Sequence, residues 1–433
     1  MANFRRALDE YAPISGEELG KLLREAESAI GSVTQRVEEF EEWSKLGFID
    51  GSYAYDERRG AFVAVFSAAL ILATRTRAGI RLSSRLGGSK EPVPFILLPR
   101  AYGESRCSVI MRTFELLAAL DAIKQGAEHV YLDGSFLSLL LTPSGTTRWI
   151  YSDLTSLLPK EDVLSFFIPA LRKLSLAVDE ELDLVEEKGA RSVFIELLRK
   201  TTRLVRDTYY DALRRIRGAS ASIAAKRALL DYTALSFEEG AALATAYRLL
   251  EEASEREARL FWIAKDSDSR ILAEALGLHG WYTDVSLLDY CWRRVGDAVL
   301  DVSRMARLSP VGENFVKPEV KGLLVEPGLA KKLYRKWGAY KIFYFKLTRL
   351  SPVFQLSYPA AYGRSAGEEA IGALTELKDN KYGYPRPLAY VHHMAVVSSD
   401  LARLLGDEGW RRARSEFERT ILSSPGRRLA GLR

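Results

Sequence analysis

Sulfur and imidazole are scarce in this chain of 433 residues, which has two cysteines, Cys107 and Cys291, and four histidines. The cysteines stand far apart and give no metal-ligand spacing. That excludes a thiolate zinc site and fits a reducing compartment, the cytoplasm. Long hydrophobic runs are missing too. The longest, AFVAVFSAALILA at 61–73, is too short to span a bilayer and reads as a buried strand. The opening MANFRRALDEYAP lacks the apolar core of a signal peptide, so no membrane is expected as a partner. There is no Walker A motif: Gly87-Gly88-Ser89-Lys90 lacks the spacing and reads as a basic loop. Internal repeats and low-complexity linkers are absent. Asparagine and glutamine are very scarce while arginine and glutamate abound, a balance that suits a hyperthermophile. The net charge of +5 permits nucleic acid as a partner without demanding it.

What is present is material for a large core, with 47% hydrophobic residues and a length beyond the usual single domain. Residues 14–45 carry helical periodicity (Leu19, Leu22, Leu23, Ala26, Ile30, Val33, Val37). A strand then runs to a charged turn at Asp56–Gly60, and a second strand follows. A basic loop leads to a third strand near 93–99. SVIMRTFELLAALDAIKQGA is a strong helix capped by Gly126, and AEHVYLDGS is a fourth strand. From about 160 to 258 the pattern is almost wholly helical. Strand character returns at 259–270, and 341–359 reads as a hairpin with Ser351-Pro352 in its turn. These elements divide the chain into an N-terminal helical segment (1–45), a discontinuous α/β domain (46–160 and 259–400), a helical insertion (161–258) and a basic tail (401–433).

Two apolar stretches end in the same three residues, FIDGS at 48–52 and YLDGS at 131–135. Asp-Gly is a common turn dipeptide, so either one alone reads as a turn. Between them RTFELLAAL places Glu115 in an Ala-rich helix. A solvated glutamate is the alternative there, because Arg112 and Asp121 give that helix a polar side. Taken together, Asp50 falls on the first strand, Glu115 on the helix after the third, and Asp133 at the end of the fourth. That is the ribonuclease-H-like order. Carboxylates converging from several elements are what a pair of hard cations needs to clamp the attacking and leaving oxygens of a phosphodiester. The expected fold is α/β: a ribonuclease-H-like mixed sheet flanked by helices, with a large helical insertion.

A fourth component lies downstream. YGYPRPLAYVHH puts Tyr384 and Pro385 just ahead of a helix with His392 and His393. His392 reads as a metal ligand or a proton-transfer group, or else as a helix-start histidine packed on Tyr384. Nitrogen ligation favours manganese over calcium. Adjacent helical residues are rotated by about 100°, so His393 is expected to point elsewhere. His129 and His279 read as structural or surface residues.

The set FIDGS, RTFELLAALDAI, VYLDGS and YGYPRPLAYVHH resembles the archaeal NurA nuclease family, over about 45 to 400. FWIAKDSDS is similar to the family's central Lys-containing strand, and YTDVSLLDY to a following Asp-containing segment. The late hairpin departs from the family, with Gln355 and Ser357 where charged residues are more usual. The resemblance implies acidic metal ligands at Asp50, Glu115 and Asp133, the Tyr and His of the C-terminal motif at Tyr384 and His392, and a catalytic lysine at Lys265. It implies a homodimer that degrades DNA with Mn2+ (two ions, Mg2+ being possible). The activity would be a 5′-to-3′ exonuclease on single- and double-stranded DNA with single-strand endonuclease action. The implied partner is the hexameric HerA ATPase, in end resection for recombinational repair.

Phosphate neutralisation dominates DNA affinity. Arg75, Arg77, Arg81 and Arg85 follow the second strand as the expected DNA-binding loop. Basic residues of the helical block (Arg199 to Arg217) and the tail (Arg411 to Arg428) read as DNA contacts or as solvated helix faces. Phe343, Tyr344 and Phe345 read as base-stacking platforms or as core. Two rival readings remain: an actin-like or sugar-kinase-like ATPase, which shares the strand order, and a non-catalytic DNA-binding scaffold.

Overall fold

A computed structural model describes residues 16–85, 92–141, 145–216, 222–278, 282–311 and 327–425. The order begins α1 (Gly16–Val33), β1 (Gln35–Arg36), β2 (Lys45–Glu57), β3 (Phe62–Thr76), β4 (Gly79–Arg85), β5 (Val93–Leu97), α2 (Gly103–Lys124) and β6 (His129–Asp133). Helices α3 (Phe136–Leu140), α4 (Gly145–Leu157), α5 (Lys160–Asp183), α6 (Val185–Ile216) and α7 (Ile223–Glu255) follow. Then come β7 (Arg259–Ala264), α8 (Ile271–Ala275), α9 (Asp284–Cys291), β8 (Ala298–Asp301), α10 (Pro327–Trp337), β9 (Tyr340–Lys346) and β10 (Phe354–Pro359). The chain ends with α11 (Ser365–Leu377), α12 (Arg386–Ala395), α13 (Ser399–Arg411) and α14 (Glu416–Leu422). The α/β expectation holds. The loop at 87–90, His279, Arg217, Arg427 and Arg428 lie outside the described residues.

Two compact units divide these elements. The larger comprises Glu42–Phe261, Pro310–Ala339 and Pro387–Arg433. Its centre is β3, apolar over most of its length because both of its faces are covered there. It pairs antiparallel with β2 from Lys45↔Thr74 to Glu57↔Phe62. Strand β2 pairs on its other side with β6, in parallel. The strand expected near 93–99 is β5, but an additional strand, β4, precedes it; the two lie along β3 in succession, β4 on Leu70–Thr76 and β5 on Phe62–Phe66. Residues 79–85, read as part of a basic loop, are therefore a strand with exposed Arg81 at the edge of the sheet, a placement that discourages pairing with other chains.

Helix α2 packs close on this sheet. A Cβ on Gly47 would sit 3.0 Å from the Ala122 Cβ. The outer face of α2 is covered as well. Phe114 stacks on Phe194 of α6 at 4.1 Å, and buried Arg106 forms an ion pair with Glu238 of α7. The long helices thus bury α2 on the side away from the sheet, and Gly126 (φ 83) follows its last turn.

The second unit comprises Met1–Glu41, Trp262–Ser309 and Tyr340–Arg386. Its strands run in the order β1-β8-β9-β10-β7, all antiparallel. The hairpin expected at 341–359 is β9–β10, but its residues are buried on both faces. Ala26 and Ile30 of α1 pack on a core with Leu287, Trp292, Ile342 and Tyr344. Helix α1 stops at Val33, short of the expected 45. Residues 35–36 pair with β8 instead, and the Val37 N–H donates to the Asp297 carbonyl.

Candidate metal centre

Asp50 and Asp133 are brought side by side by the parallel pairing of β2 with β6. The register Ile49↔Leu132 makes the two aspartates the next pair across strands about 4.8 Å apart. Glu115 comes from α2 through a gap that the sheet itself provides. A Cβ on Gly51 would lie 2.7 Å from the Glu115 Cγ and Oε1, so only glycine leaves room for that carboxyl. The Gly51 N–H donates to it. FIDGS is therefore not a turn: Gly51 lies mid-strand. YLDGS does leave its strand, with Gly134 at φ 100.

Asp50 and Glu115 are buried, at 5% and 7% exposure, and the solvated alternative for Glu115 does not hold. The supposed polar side of α2 is only partly open to solvent, with Arg112 half-buried. Asp121 is buried, and burial depresses the basicity of Arg112. The Glu115 pKa is pushed up to about 8, first by burial and then by the negative charges of Asp50 and Asp133, with Arg112 and the Gly51 N–H partly offsetting them. Without a metal, the carboxylate trio therefore holds a proton near neutral pH.

His392, on α12, completes the group. Its Nδ1 lies 2.7 Å from Asp50 Oδ2. A carboxylate oxygen accepts, so this contact is an Nδ1–H donation; in the neutral tautomer that makes it, Nε2 carries the lone pair that could face a metal or a proton. The ring is about half exposed, while His393 is exposed with its ring 6.0 Å away and tilted. His129 is buried among Tyr131 and Phe261, a structural place.

The other residues singled out from the sequence have the following surroundings. Tyr384 and Lys265 belong to the second unit and partner each other, the Lys265 Nζ lying 5.6 Å from the Tyr384 ring. Tyr384 also meets Phe354 edge-on. Gln355 donates to the Tyr344 hydroxyl and accepts from Ser267, so this departure from the family pattern serves a buried polar network. Phe343, Tyr344 and Phe345 are fully buried and cannot stack on bases. Arg75 packs over Trp43 at the end of β3, Arg77 is exposed in the following turn, and Arg81 is exposed on β4. The register places Arg85 beside Leu70, one step from the row of Asp50↔Ala69. In the helical block Arg199, Lys200, Arg206 and Arg214 form ion pairs with acidic neighbours, as Arg411 and Arg412 do with Glu408, so these faces are largely self-neutralised.

The model of the NurA domain matches residues 44–397. The chain belongs to the NurA family. That makes it a metal-dependent nuclease. A search of curated proteins gave no match. Among solved structures the chain is similar to the crystal structure of the NurA nuclease from Sulfolobus solfataricus, at 17% identity over 95% of this chain and 98% of that one, with a TM-score of 0.52. It is also similar to NurA bound to dAMP and manganese (15%, 94% and 96%, TM-score 0.62) and to NurA with manganese (16%, 92% and 98%, TM-score 0.58).

The donor set of this NurA-family chain fits a hard divalent cation. Burial of Glu115, reinforced by the negative charges of Asp50 and Asp133, raises its pKa, and a cation would favour the ionised form. Among the described residues no three Asp, Glu, His or Cys side chains stand, as placed, close enough to hold a metal ion together, so a cation would have to draw these groups inward. Ser52, next to the site, and Arg58, past the far end of β2, were not singled out from the sequence; Ser52 accepts the N–H of Val397 between α12 and α13, and Arg58 holds Asp407 of α13.

Proposed function

We propose that this nuclease cleaves DNA with manganese held by Asp50, Glu115, Asp133 and His392. The observation that carries the reading is the convergence of Asp50 and Asp133 on buried Glu115, with His392 hydrogen-bonded to Asp50. Manganese, found in similar NurA structures, suits a site that adds an imidazole to carboxylates. A bound pair of ions would supply an activated water and a counter-charge for the leaving oxygen, and magnesium is the substitute to compare.

The chain's own residues prepare that chemistry. Asp50 and Asp133 flank the cation position from adjacent strands, and Glu115 closes it from α2. Asp50 also orients the His392 ring, so Nε2 is aimed rather than free to rotate. Arg81 and Arg85 neutralise the DNA backbone, with Arg75 and Arg77 beside them. Lys265 and Tyr384 are proposed to offset charge on the phosphate.

In its finer form the proposal is a 5′-to-3′ exonuclease on single- and double-stranded DNA with single-strand endonuclease action. It works as a homodimer in the cytoplasm with a HerA-type hexameric ATPase in end resection. Manganese-dependent loss of labelled DNA ends without ATP is the expected result, and Asp50→Asn should lower it by more than about 1000-fold in a folded protein. A near-normal rate in that variant would sink the site. ATP turnover by the isolated chain would favour the kinase-like rival, and DNA binding with neither activity the scaffold.

A further inference from the structure

The even-numbered residues of β2 carry a series of contacts to the C-terminal helices that continues past the metal site. Asp50 meets His392, and the Ser52 hydroxyl accepts the Val397 N–H at 3.2 Å. Ala54 packs with Ala402 among Val397, Leu401 and Leu405. Asp56 pairs with Arg58, which holds Asp407. The partners follow one another in order along both segments: His392 is on α12, Val397 lies in the link between α12 and α13, Ala402 and Asp407 are on α13, and Asp407 is reached through Arg58 rather than by Asp56 itself.

The last contact is the most heavily built. Arg58 is 1% exposed. Its Nη2 donates to Asp407 at 2.8 Å and to the Arg403 carbonyl at 3.1 Å, and its Nη1 to the Leu422 carbonyl at 3.2 Å. The Arg59 and Gly60 N–H groups donate to the carbonyls of Ser423 and Ile421. A Cβ on Gly406 would collide with the guanidinium, so α13 must approach at a glycine. The first contact is slight by comparison: a half-exposed imidazole near the end of a short helix.

We propose that Arg58 is a positioning residue of the metal site. It clamps α13 and α14 to the β2–β3 turn, and so sets the register in which α12 delivers His392 to Asp50. It touches no reacting atom. The proposal rests on the metal reading for the role of His392, and on geometry alone for the clamp.

The test uses full-length Asp407→Asn and Arg58→Lys, each also in a His392→Ala background. Manganese binding is read from the free-ion electron paramagnetic resonance signal, and the placement of α12 from amide hydrogen exchange over 386–397. The clamp predicts manganese binding weakened by about five-fold in Asp407→Asn, faster exchange over 386–397, and loss of the binding effect once His392 is gone. A purely structural role would lower Tm equally in both backgrounds. The proposal is overturned if the variants melt earlier yet bind manganese and exchange like wild type, or if binding weakens equally without His392. Asp407 is half exposed, and its Asn variant should fold; Ser52→Ala supplies the same readouts if Arg58→Lys does not. Absence of manganese binding by the wild-type protein would sink the metal reading, and the exchange data would then decide the clamp.

Discussion

Asp50-Gly51-Ser52 lies inside a strand, and Asp133-Gly134-Ser135 lies where one ends. In the first, glycine is required for space, because the Glu115 carboxyl occupies the volume a side chain would fill. In the second, glycine is required for conformation. A Cβ on Gly134 would meet nothing within 4 Å, but φ is 100. The serines differ as well. Ser52 accepts the backbone N–H of Val397, in the link between α12 and α13, whereas Ser135 is the extended residue that precedes α3. The same three letters thus build the middle of a site in one place and its edge in the other.

Alanine at each glycine separates space from conformation. Gly51→Ala must displace Glu115 and is expected to lower cleavage by about 100-fold or more with a modest loss of Tm. Gly134→Ala should cost about 1–2 kcal/mol of stability from the left-handed backbone. It should change the rate much less at temperatures where the protein stays folded. Parallel rate and melting measurements on the two variants check this, and equal rate losses would break the comparison.

The first site also carries a pH signature. The Glu115 pKa is raised to about 8 in the folded protein, above its ordinary value of 4.5. The associated stability is therefore fully present below about pH 4.5 and is lost as pH rises through about 8. At about 1.4 kcal/mol per pKa unit the loss is a few kcal/mol. Metal-free wild type should melt progressively earlier across that window, while Glu115→Gln flattens the difference. Manganese should restore stability most at the alkaline end. A wild type and a Glu115→Gln variant with parallel pH profiles would contradict the burial and repulsion read for Glu115.

The acidic order was legible because residue type, sequence order and element type agree at Asp50, Glu115 and Asp133. The reason for Gly51 was not. Asp-Gly reads as a turn because glycine usually serves positive φ, and nothing local to FIDGS announces a carboxyl arriving from a helix more than sixty residues on. Strand β4 was missed because Arg81, Ser83, Ser84 and Arg85 look like a loop; edge strands carry such residues for reasons of solubility. The Arg58–Asp407 pair joins residues too far apart for any spacing rule. It also bears on the C-terminal segment read as a basic tail: α13 and α14 are fastened to the β2–β3 turn, and truncation there would strand a buried arginine. Partner docking is better probed by surface substitutions.

His392 tests whether the first site extends to α12. His392→Ala removes the group 2.7 Å from Asp50 and should slow turnover by about 10- to 100-fold. His393→Ala, at an exposed neighbouring position, should stay within about two-fold. Single-turnover rates at saturating manganese give the ranking, and the reverse order would shift the assignment by one residue.

The smallest effect belongs to the strand next to β3, on the far side from Asp50. Arg81 is exposed on β4, and an exposed arginine that neutralises one phosphate adds about 0.7 to the salt slope on single-stranded DNA. Arg81→Ala should therefore flatten the slope of log K against log salt by about that amount and weaken binding uniformly across sequences, leaving the rate of bound DNA unchanged. Arg199→Ala makes the contrast, because Arg199 already pairs with Glu196 and the same loss of charge there should leave the slope within error. Fluorescence anisotropy with a short oligonucleotide at several salt concentrations, under metal-free conditions, measures both. An unchanged slope for Arg81→Ala would remove β4 from the DNA path and leave the phosphate contacts to be sought on other surfaces.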